Sequence, residues 1–364
     1  MLAIDVLIVG AGPAGLRAAA SAGSAGASVV VVDAQDRPGG QLIKQTHKFF
    51  GSRRQLASRR GIDIAGDLYA EARSSGNVVF LFEAHALGRY PDGMVLVEHH
   101  GRVSKFRPRR LILTTGARER PLAFPNNDLP GIYGAGAVQT LMNVYGVKPA
   151  CRVLMVGAGN IGLIVSYQLA QAGVEVAAVV EAASVVGGYA VHAARIRRNG
   201  IEILTSHTIR EALGTTQVEA VHVHALDAKG RSVAGSTRRF EVDAICVAVG
   251  LTPEVELLRL SGCCLAYVSE LGGHVPMRST GLETSVPGVY VAGDAAGIEE
   301  ASSAMVEGTL AGAHAAASLG YGGFGLQQVC VDAAAELSSL RAGPFGERIR
   351  RGLQRVELVG GKSC

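Results

Sequence analysis

The sequence predicts an α/β protein built from two Rossmann-like dinucleotide-binding domains, followed by a short C-terminal helical appendix. A glycine-rich turn, GAGPAG at residues 10–15, follows an apolar run and precedes a run of small residues. A second turn, GAGNIG at residues 157–162, follows another apolar run, and an acidic residue ends the strand predicted after each turn. Strand, glycine turn, helix and acid in this order are typical of a dinucleotide-binding domain.

The first turn has the features that a pyrophosphate needs. Gly10 permits a tight turn, Gly12 lets the phosphates approach the backbone, and Gly15 allows the helix and strand to pack closely. The phosphates would lie on the free N–H groups at the helix N-terminus. Asp33 ends the next predicted strand and is placed for ribose hydroxyls. The residues predicted to bind the first nucleotide are Gly10, Gly12, Pro13, Ala14, Gly15 and Asp33.

The second turn predicts a site that prefers NAD over NADP. Glu181 ends the strand predicted over 174–180. A carboxylate there favours free ribose hydroxyls, and no arginine directly follows it to hold a 2′-phosphate. The residues predicted to bind the second nucleotide are Gly157, Gly159, Asn160, Ile161, Gly162 and Glu181, with Gly250 at the end of the domain.

Further elements are predicted from periodicity and from turn residues. They are a helix over 61–74, a strand over 78–82, a hairpin over 86–98, strands over 111–117 and 284–294, and helices over 302–318, 326–340 and 347–356. The returning strand ends on Gly-Asp at 293–294, which places Asp294 at the carboxyl edge of a sheet, where ligands bind in open α/β folds.

Composition and cysteine usage exclude several classes of protein. No run of 18 apolar residues is present, and the N-terminal apolar stretch is already a predicted strand, so neither a transmembrane segment nor a signal peptide is expected. The six cysteines form no C-x-x-C pair, and the adjacent Cys263 and Cys264 are poorly placed to bridge each other. We therefore expect reduced cysteines and a cytoplasmic protein.

The net charge of +4 is concentrated at the C-terminus, where residues 341–364 contain six basic and two acidic residues. No aromatic interleaving or nucleic-acid module accompanies them, so nucleic-acid binding is not expected. Arg348, Arg351 and Arg355 would share one helix face. The sequence leaves two interpretations open for this face, a solvated helix and a docking surface for a partner, and a glycine-rich joint at 321–325 connects it to the body.

Six motifs in one order resemble the two-dinucleotide-binding-domain flavoproteins, with spacing similar to thioredoxin reductase over residues 1–322. They are GAGPAG at 10–15, Asp33, GGQL at 39–42, TTGA at 114–117, GAGNIG at 157–162 and VAGD at 291–294. The resemblance implies FAD in the first domain and NAD(H) in the second. It adds as implied cofactor contacts Gly40, Gln41, Leu42, Thr115, Gly116, Gly293, Asp294, Ala301 and Ser302, with Asp294 on the ribityl chain.

The same resemblance implies a discontinuous FAD-binding domain. Residues 1–118 would form its first part and 252–322 its second, with the NAD(P)-binding domain inserted at 119–251 and the appendix at 323–364. Thioredoxin reductase carries its redox Cys-x-x-Cys just before the second glycine turn, but residues 133–139 contain no cysteine here. The glutathione-reductase position at 41–44 contains none either. With no thiolate placed to attack a disulfide, we expect an FAD/NAD(P)-dependent oxidoreductase that is not a disulfide reductase.

Residues 116–139 are similar to the flavoprotein components of heteromeric amine and amino-acid dehydrogenases: sarcosine oxidase alpha, the corresponding subunit of opine oxidase, D-hydroxyproline dehydrogenase alpha and hydrogen cyanide synthase. This implies a hydride or electron relay between NAD(H) and FAD in one subunit of a complex acting on proline, hydroxyproline, sarcosine or an opine-like compound. The alternative is a non-catalytic or electron-transfer partner subunit of a glycerol-3-phosphate-type dehydrogenase, with a structural second nucleotide site.

Two further implications concern what the chain itself does not supply. Past residue 320 only Cys330 and Cys364 remain, too few for a four-cysteine cluster, so any iron–sulfur protein would be another subunit. Hydride transfer between two cofactors requires no acid or base from the protein. We therefore assign no catalytic residue and no metal ligand.

Overall fold

The computed structural model describes residues 2–49, 56–322, 324–344 and 346–358. The chain forms two compact units, unit 1 comprising Met1–Arg118 and Thr252–Cys364, and unit 2 comprising Glu119–Leu251. Within the described ranges, no helix has both the length and the apolar character required to cross a membrane.

The elements follow one another along the chain in three segments. The first segment of unit 1 contains β1 (Leu2–Val9), α1 (Pro13–Ser24), β2 (Val29–Val32), α2 (Gly61–Ser74), β3 (Val78–Leu81), β4 (Ala84–Arg89), β5 (Val95–His99), β6 (Arg102–Leu113) and the start of β7 (Ala117–Glu119). Unit 2 contains β8 (Ile132–Gly134), α3 (Ala135–Asn143), β9 (Arg152–Val156), α4 (Asn160–Gln171), β10 (Glu175–Glu181), α5 (Ala190–Arg198), β11 (Ile203–Thr205), β12 (His207–Leu213), β13 (Ala220–Ala225), β14 (Arg238–Glu241), β15 (Ala244–Val247) and the start of β16 (Leu251–Pro253). The second segment of unit 1 contains α6 (Glu256–Leu260), β17 (Leu265–Val268), β18 (Gly273–Pro276), β19 (Val289–Val291), α7 (Ala301–Ala317), α8 (Phe324–Leu340) and α9 (Glu347–Gln354).

Unit 1 is built on a sheet with the strand order β3-β2-β1-β6-β5-β4, in which β19 also pairs with β6. Strands β3, β2, β1, β6 and β19 are parallel, whereas β4 and β5 continue as an antiparallel hairpin against the first half of β6. All four valines of β2 are buried, as expected for a parallel strand covered on both faces. From β1 the chain first adds β2 and β3 on one side and then β6 on the other. In such sheets ligands bind at the carboxyl ends of the strands at this switch point.

Helices α1 and α7 approach each other at backbone distance on one face of this sheet. A Cβ on Gly308 would lie 2.1 Å from the carbonyl oxygen of Ala14, and one on Gly312 would lie 2.4 Å from that of Ala18. Such contacts are possible only without a side chain at these two positions. A Cβ on Gly293 would lie 3.0 Å from the Cβ of Ala14, so the turn after β19 is next to the first turn of α1.

Unit 2 contains a parallel sheet with the order β11-β10-β9-β15-β8 and a three-stranded antiparallel sheet, β12-β13-β14. Alternate residues of β9 enter two different cores. Met155 packs in the core that contains Leu163 of α4, whereas Leu154 packs in the core that contains Val223 of β13. Covering both faces of the parallel sheet explains why β9 is apolar from Val153 to Val156.

Several predicted elements are confirmed and two are corrected. The helix over 61–74 is confirmed, and the C-terminal helices are found at Phe324–Leu340 and Glu347–Gln354. Strand β6 begins at Arg102 rather than at 111, because its polar first half pairs with the antiparallel strand β5. The strand predicted from 284 is only β19, because the hydroxyl of Thr284 accepts the N–H of Val286 at 3.2 Å and turns the chain.

The C-terminal region is attached to unit 1 along its described length. The phenol of Tyr321 donates to the carboxylate of Asp5 at 2.7 Å, and the Val356 side chain is buried. Arg355 forms a 3.0 Å ion pair with Glu270, and Arg348 donates to a carbonyl oxygen of the same unit, that of Ser269. Arg348 and Arg355 are nonetheless exposed, so a docking role for this face stays a prediction. Part of the predicted joint, at residue 323, lies outside the described residues.

The cysteines also differ from expectation at one position. Cys264 is disulfide-bonded, whereas Cys151, Cys246, Cys263 and Cys330 are free thiols. The expectation of reduced cysteines is wrong for Cys264. Cys263 does not bridge its neighbour, and its thiol donates to the hydroxyl of Thr284 at 3.3 Å. Burial raises the pKa of the Cys246 thiol to about 12, so this group is not a thiolate at neutral pH.

Candidate nucleotide-binding sites

The first glycine turn is enclosed by three strands of unit 1. Gly10 has φ +109°, and a Cβ there would lie 2.3 Å from the carbonyl oxygen of Thr114 on the neighbouring strand. A Cβ on Gly15 would lie 1.8 Å from the carbonyl oxygen of Gly10. The N–H of Gly10 donates to Val32 at 2.8 Å. Neither position has room for a side chain, so both must be glycine, and the turn is held between β1, β2 and β6.

The N-terminus of α1 opens onto free space. Gly12 is its N-cap with no side-chain cap among the described residues, and the atom nearest to a Cβ on Gly12 is the Cα of Gly40 at 4.0 Å. Uncapped N–H groups and the positive end of the helix dipole favour an anion here. Gly39 donates to the carbonyl of Ala11 at 2.8 Å, which places Gly40 beside the turn. Gln41 is exposed in the next helical turn, whereas the Leu42 side chain is 0% exposed and belongs to the core.

Asp33 lies at the end of β2 and contacts the same turn. Its carboxylate accepts the N–H of Ala11 at 2.5 Å and that of Gln35 at 2.8 Å. Burial raises the pKa of Asp33, and these two N–H groups partly oppose that effect. Two oxygens have more acceptor capacity than two N–H donors use, so Asp33 can still accept ribose hydroxyls.

Asp294 belongs to the second segment of unit 1, in the turn that lies next to the start of α1. It follows Gly293, which has φ +72°, in the turn between β19 and α7. The one hydrogen bond that the described residues give its carboxyl group is a long one, 3.4 Å from the N–H of Glu299. Burial raises the pKa of Asp294 to about 7, with the carboxylates of Glu307 and Glu299 adding to the effect. A partly buried acceptor with so little bonding fits a ligand hydroxyl.

The remaining residues predicted for the first site have distinct environments. Thr115 donates its hydroxyl to the carbonyl of Glu254 at 2.7 Å, and Gly116 has φ +76° with no described atom within 4 Å of a Cβ. Ala301 and Ser302 form the first turn of α7, and Ser302 is buried. The structure brings the glycine turn, Gly40, Asp33 and the 293–294 turn together at the carboxyl edge of the sheet.

Unit 2 repeats the arrangement of the first turn. Glu181 accepts the N–H of Ala158 at 2.7 Å and that of Ala183 at 2.9 Å. A Cβ on Gly157 would lie 2.3 Å from the carbonyl oxygen of Ala248, and one on Gly162 would lie 2.1 Å from that of Gly157. The turn is therefore enclosed as in unit 1, and Glu181 accepts the N–H group that corresponds to the one accepted by Asp33.

The open positions are also repeated in unit 2. No described atom lies within 4 Å of a Cβ on Gly159 or on Gly250, and α4 has no side-chain cap among the described residues. The Ile161 side chain is 41% exposed on the first turn of α4. The Asn160 carboxamide oxygen accepts the N–H of Tyr189 at 2.8 Å, whereas the corresponding position of the first turn is Pro13, which has no such acceptor.

A glycine pair at 187–188 is a further part of the second site that sequence reasoning missed. Gly188 donates to the carbonyl of Ala158 at 2.9 Å, as Gly39 does to Ala11 in unit 1. A Cβ on Gly188 would lie 3.0 Å from the backbone nitrogen of Asn160. The signal was present in the spacing, because the glycine pair begins six residues after the acid in both units (39 − 33 and 187 − 181).

These two units define a protein with duplicated dinucleotide-type folds, each with a glycine turn, an acid and a glycine pair in matching places. The chain belongs to the pyridine nucleotide-disulphide oxidoreductase family, whose sequence model matches residues 4–308. Membership of this family supports the prediction that the chain is an oxidoreductase of the FAD/NAD(P) type.

Among curated relatives, the chain is 31% identical over 343 residues to one of the subunits of opine oxidase from Rhizobium meliloti, covering 87% of this chain and 71% of that protein. It is 32% identical over 319 residues to the alpha subunit of sarcosine oxidase from the same species, covering 84% of this chain but only 29% of the relative. The chain thus spans less than a third of the sarcosine oxidase component. Both relatives are named as subunits of oxidases.

Solved structures show the same fold at lower identity. The L-proline dehydrogenase from P. horikoshii superposes with a TM-score of 0.70 at 22% identity, covering 93% of this chain and 59% of that one. The thioredoxin reductase from T. acidophilum superposes with a TM-score of 0.71 at 22% identity, covering 87% and 99% of the two chains. The resemblance to thioredoxin reductase is therefore confirmed as a resemblance of fold.

Proposed function

We propose that unit 1 binds FAD, that unit 2 binds NAD(H), and that the chain relays hydride or electrons between them. The observation that carries the proposal is that both units contain the same arrangement of acid and glycine turn. Asp33 accepts the N–H of Ala11, Glu181 accepts the N–H of Ala158, and each acid lies beside a helix N-terminus without a side-chain cap. The space above Gly12 and Gly159 that a side chain would occupy is free in both units. When bound, the two cofactors would supply the hydride and electron chemistry.

The protein's own part in this proposal is binding and orientation. The N-terminal N–H groups of α1 and α4 would hold pyrophosphates, and Asp33 and Glu181 would accept ribose hydroxyls. Asp294 would accept a hydroxyl of the ribityl chain, which is consistent with its partly buried and weakly bonded carboxyl group. No side chain needs to move a proton in this scheme.

Anaerobic titration of the purified protein with NADH tests the relay. We expect about one FAD per chain, released on denaturation, and bleaching of the flavin absorbance by a stoichiometric amount of NADH. A flavin that binds but is not reduced by NADH would contradict the relay and would favour a structural nucleotide site in unit 2. The hydrogen bond between Asn160 and Tyr189 favours this structural role, because it holds the glycine pair at 187–188 close to the N-terminus of α4.

We further propose NAD(H) rather than NADP(H) as the nucleotide of unit 2, and an arginine at position 182 should shift this preference. Ala182 is exposed and directly follows Glu181. Changing Glu181 itself would remove the acceptor of two backbone N–H groups. Ala182→Arg keeps that acceptor and offers a guanidinium to a 2′-phosphate, a bond contributing about 1.5–3 kcal/mol. We expect kcat/KM for NADPH to rise about 10- to 100-fold, measured as the rate of flavin reduction.

The matched control for this prediction is Ala182→Glu, which places the opposite charge at the same exposed position. It should lower NADPH use further and leave NADH use within about twofold, since free ribose hydroxyls carry no charge to repel. Equal flavin reduction by NADH and NADPH in the unmodified protein would refute the preference.

The chain is also proposed to act as one subunit of an amine or amino-acid dehydrogenase. The support is its identity of about 30% to proteins named as subunits of opine oxidase and sarcosine oxidase. A partner subunit would then oxidise the substrate, and an iron–sulfur protein could complete the electron path. Co-expression with the products of neighbouring dehydrogenase genes tests this proposal; an amino-acid-dependent activity that needs both chains would support it, and a glycerol-phosphate-dependent one would support the alternative.

A further inference from the structure

A cluster of buried charges lies under the Gly293–Asp294 turn and includes one residue from the C-terminal region. Arg341 directly follows α8 and donates to both carboxylate oxygens of Glu299, at 3.0 and 2.6 Å. It also donates to Glu307 at 2.5 Å. The side chains of Arg341, Glu299 and Glu307 are 13%, 9% and 3% exposed. Ion pairs screened this little by water are strong determinants of local geometry.

Both acids act on the turn that contains Asp294. The second oxygen of Glu307 accepts the N–H of Gly293 at 2.8 Å, at the start of the turn. At its end, the backbone N–H of Glu299 donates to the carboxyl group of Asp294 at 3.4 Å. Arg341 therefore contacts both acids that hold the segment 293–299: Glu307, which bonds its first residue, and Glu299, which forms its last.

A second cation supports the same segment from inside the unit. Arg278 is 5% exposed, donates to the carbonyl of Ala296 at 2.6 Å and lies 3.9 Å from Glu307. Burial lowers the pKa of Arg278 and raises that of Glu299. Burial alone would also lower the pKa of Arg341, but Glu307 and Glu299 raise it above its usual value, so this cation is permanently charged. Without Arg341, Glu299 would lose both hydrogen bonds from the guanidinium, and among the described residues Glu307 would keep Arg278 at 3.9 Å as its ion-pair partner.

We infer that Arg341 is a positioning residue for the flavin site, holding Glu299 and Glu307 so that the 293–299 turn presents Asp294 to the cofactor. The inference rests on the proposal that unit 1 binds FAD. It makes the C-terminal region a part of the flavin site, whereas the sequence predicted a separate helical appendix over residues 323–364. Arg341 acts through the two acids and the turn, and contacts no cofactor itself.

The test compares FAD binding to full-length variants after removal of bound flavin, with each variant's melting followed by circular dichroism. Arg341→Met should raise the Kd for FAD at least about tenfold, because the turn loses the cation common to both of its ends. Arg355→Met is the matched control, since Arg355 is also C-terminal but pairs with Glu270 on the surface at 53% exposure. It should leave the Kd within about twofold.

Arg341→Lys keeps the test decisive if the methionine variant fails to fold. A lysine retains the charge but cannot span Glu299 with two N–H groups while contacting Glu307, so we expect an intermediate Kd, about three- to tenfold raised. Arg341 variants that melt at lower temperature yet bind FAD like the unmodified chain would overturn the inference, because the role would then be structural only. An unmodified chain that binds no FAD would overturn the proposed function and this inference together.

Discussion

Gly15→Ala should abolish flavin binding and lower the melting temperature of unit 1 by about 6–12 °C. A Cβ at this position would lie 1.8 Å from the carbonyl oxygen of Gly10 and 2.8 Å from the hydroxyl of Thr114. Both groups are fixed, since Gly10 is hydrogen-bonded to β2 and the Thr114 hydroxyl donates to Val9 at 2.9 Å. Helix and sheet must therefore separate, and we expect a loss of about 3 kcal/mol or more, at the upper end of overpacking costs.

Two glycines provide matched controls for this change. Gly66 is exposed inside α2 with no described atom within 4 Å of a Cβ, so Gly66→Ala should stabilise the chain by about 0.5–1 kcal/mol. Gly162→Ala makes the equivalent clash in unit 2, 2.1 Å from Gly157, and should impair reduction by NADH while FAD content is retained. A Gly15→Ala protein with normal melting and full FAD would show that the turn can adjust and would contradict the steric argument.

Much of the fold could be predicted from the sequence because its signals are local. The helix at Gly61–Ser74 is predicted by apolar spacing, and the strands of both parallel sheets are nearly continuous apolar runs. The polar first half of β6 was missed because residues 102–105 are all exposed and contain no apolar run, and only pairing with β5 makes it a strand. Antiparallel strands carry a weaker apolar signal than buried parallel strands because one of their faces can contact water.

The candidate sites were predictable to a different extent. Glycine turns and acids have fixed spacing in the chain, so their residues could be named in advance, although their cofactor roles stay predictions. The cluster around Arg341 has no local pattern, since its ion pairs join residues 34 and 42 positions apart in sequence. A pair of this kind is determined by how α7 and α8 pack. The sequence showed the basic excess of the C-terminus but not that one of its arginines is buried.

The pH dependence of stability should reveal Asp294 directly in FAD-free protein. Its pKa rises from the usual 3.8 to about 7 through burial, with Glu307 and Glu299 adding to the shift, within a cluster that also contains Arg341 and Arg278. Because the folded pKa lies above the unfolded one, the folded chain favours the protonated form. The stability from this group is complete below about pH 4 and is lost as the pH rises to about 7.

Asp294→Asn removes this titration while keeping the shape of the side chain. Relative to that variant, the unmodified protein should lose about 1.4 kcal/mol per pH unit over the range where the two pKa values differ. Between pH 5 and pH 7 this amounts to a fall of about 5–10 °C in melting temperature that Asp294→Asn does not show. Parallel melting curves for the two proteins across this range would contradict the assignment of a raised pKa to Asp294.

FAD binding should depend on pH with the opposite sign. A ribityl hydroxyl that donates to Asp294 stabilises the ionised carboxylate and lowers its pKa, so binding releases a proton. The affinity of the unmodified protein for FAD should therefore rise between pH 5 and pH 7, by at most about tenfold per pH unit, and then level off. Asp294→Asn should bind FAD with little pH dependence, and Asp294→Ala should bind it more weakly by about 1.5–3 kcal/mol, because a hydrogen bond to a charged group is lost. Flavin fluorescence titrations at several pH values measure all three; equal pH dependence in the unmodified protein and Asp294→Asn would place the titrating group elsewhere.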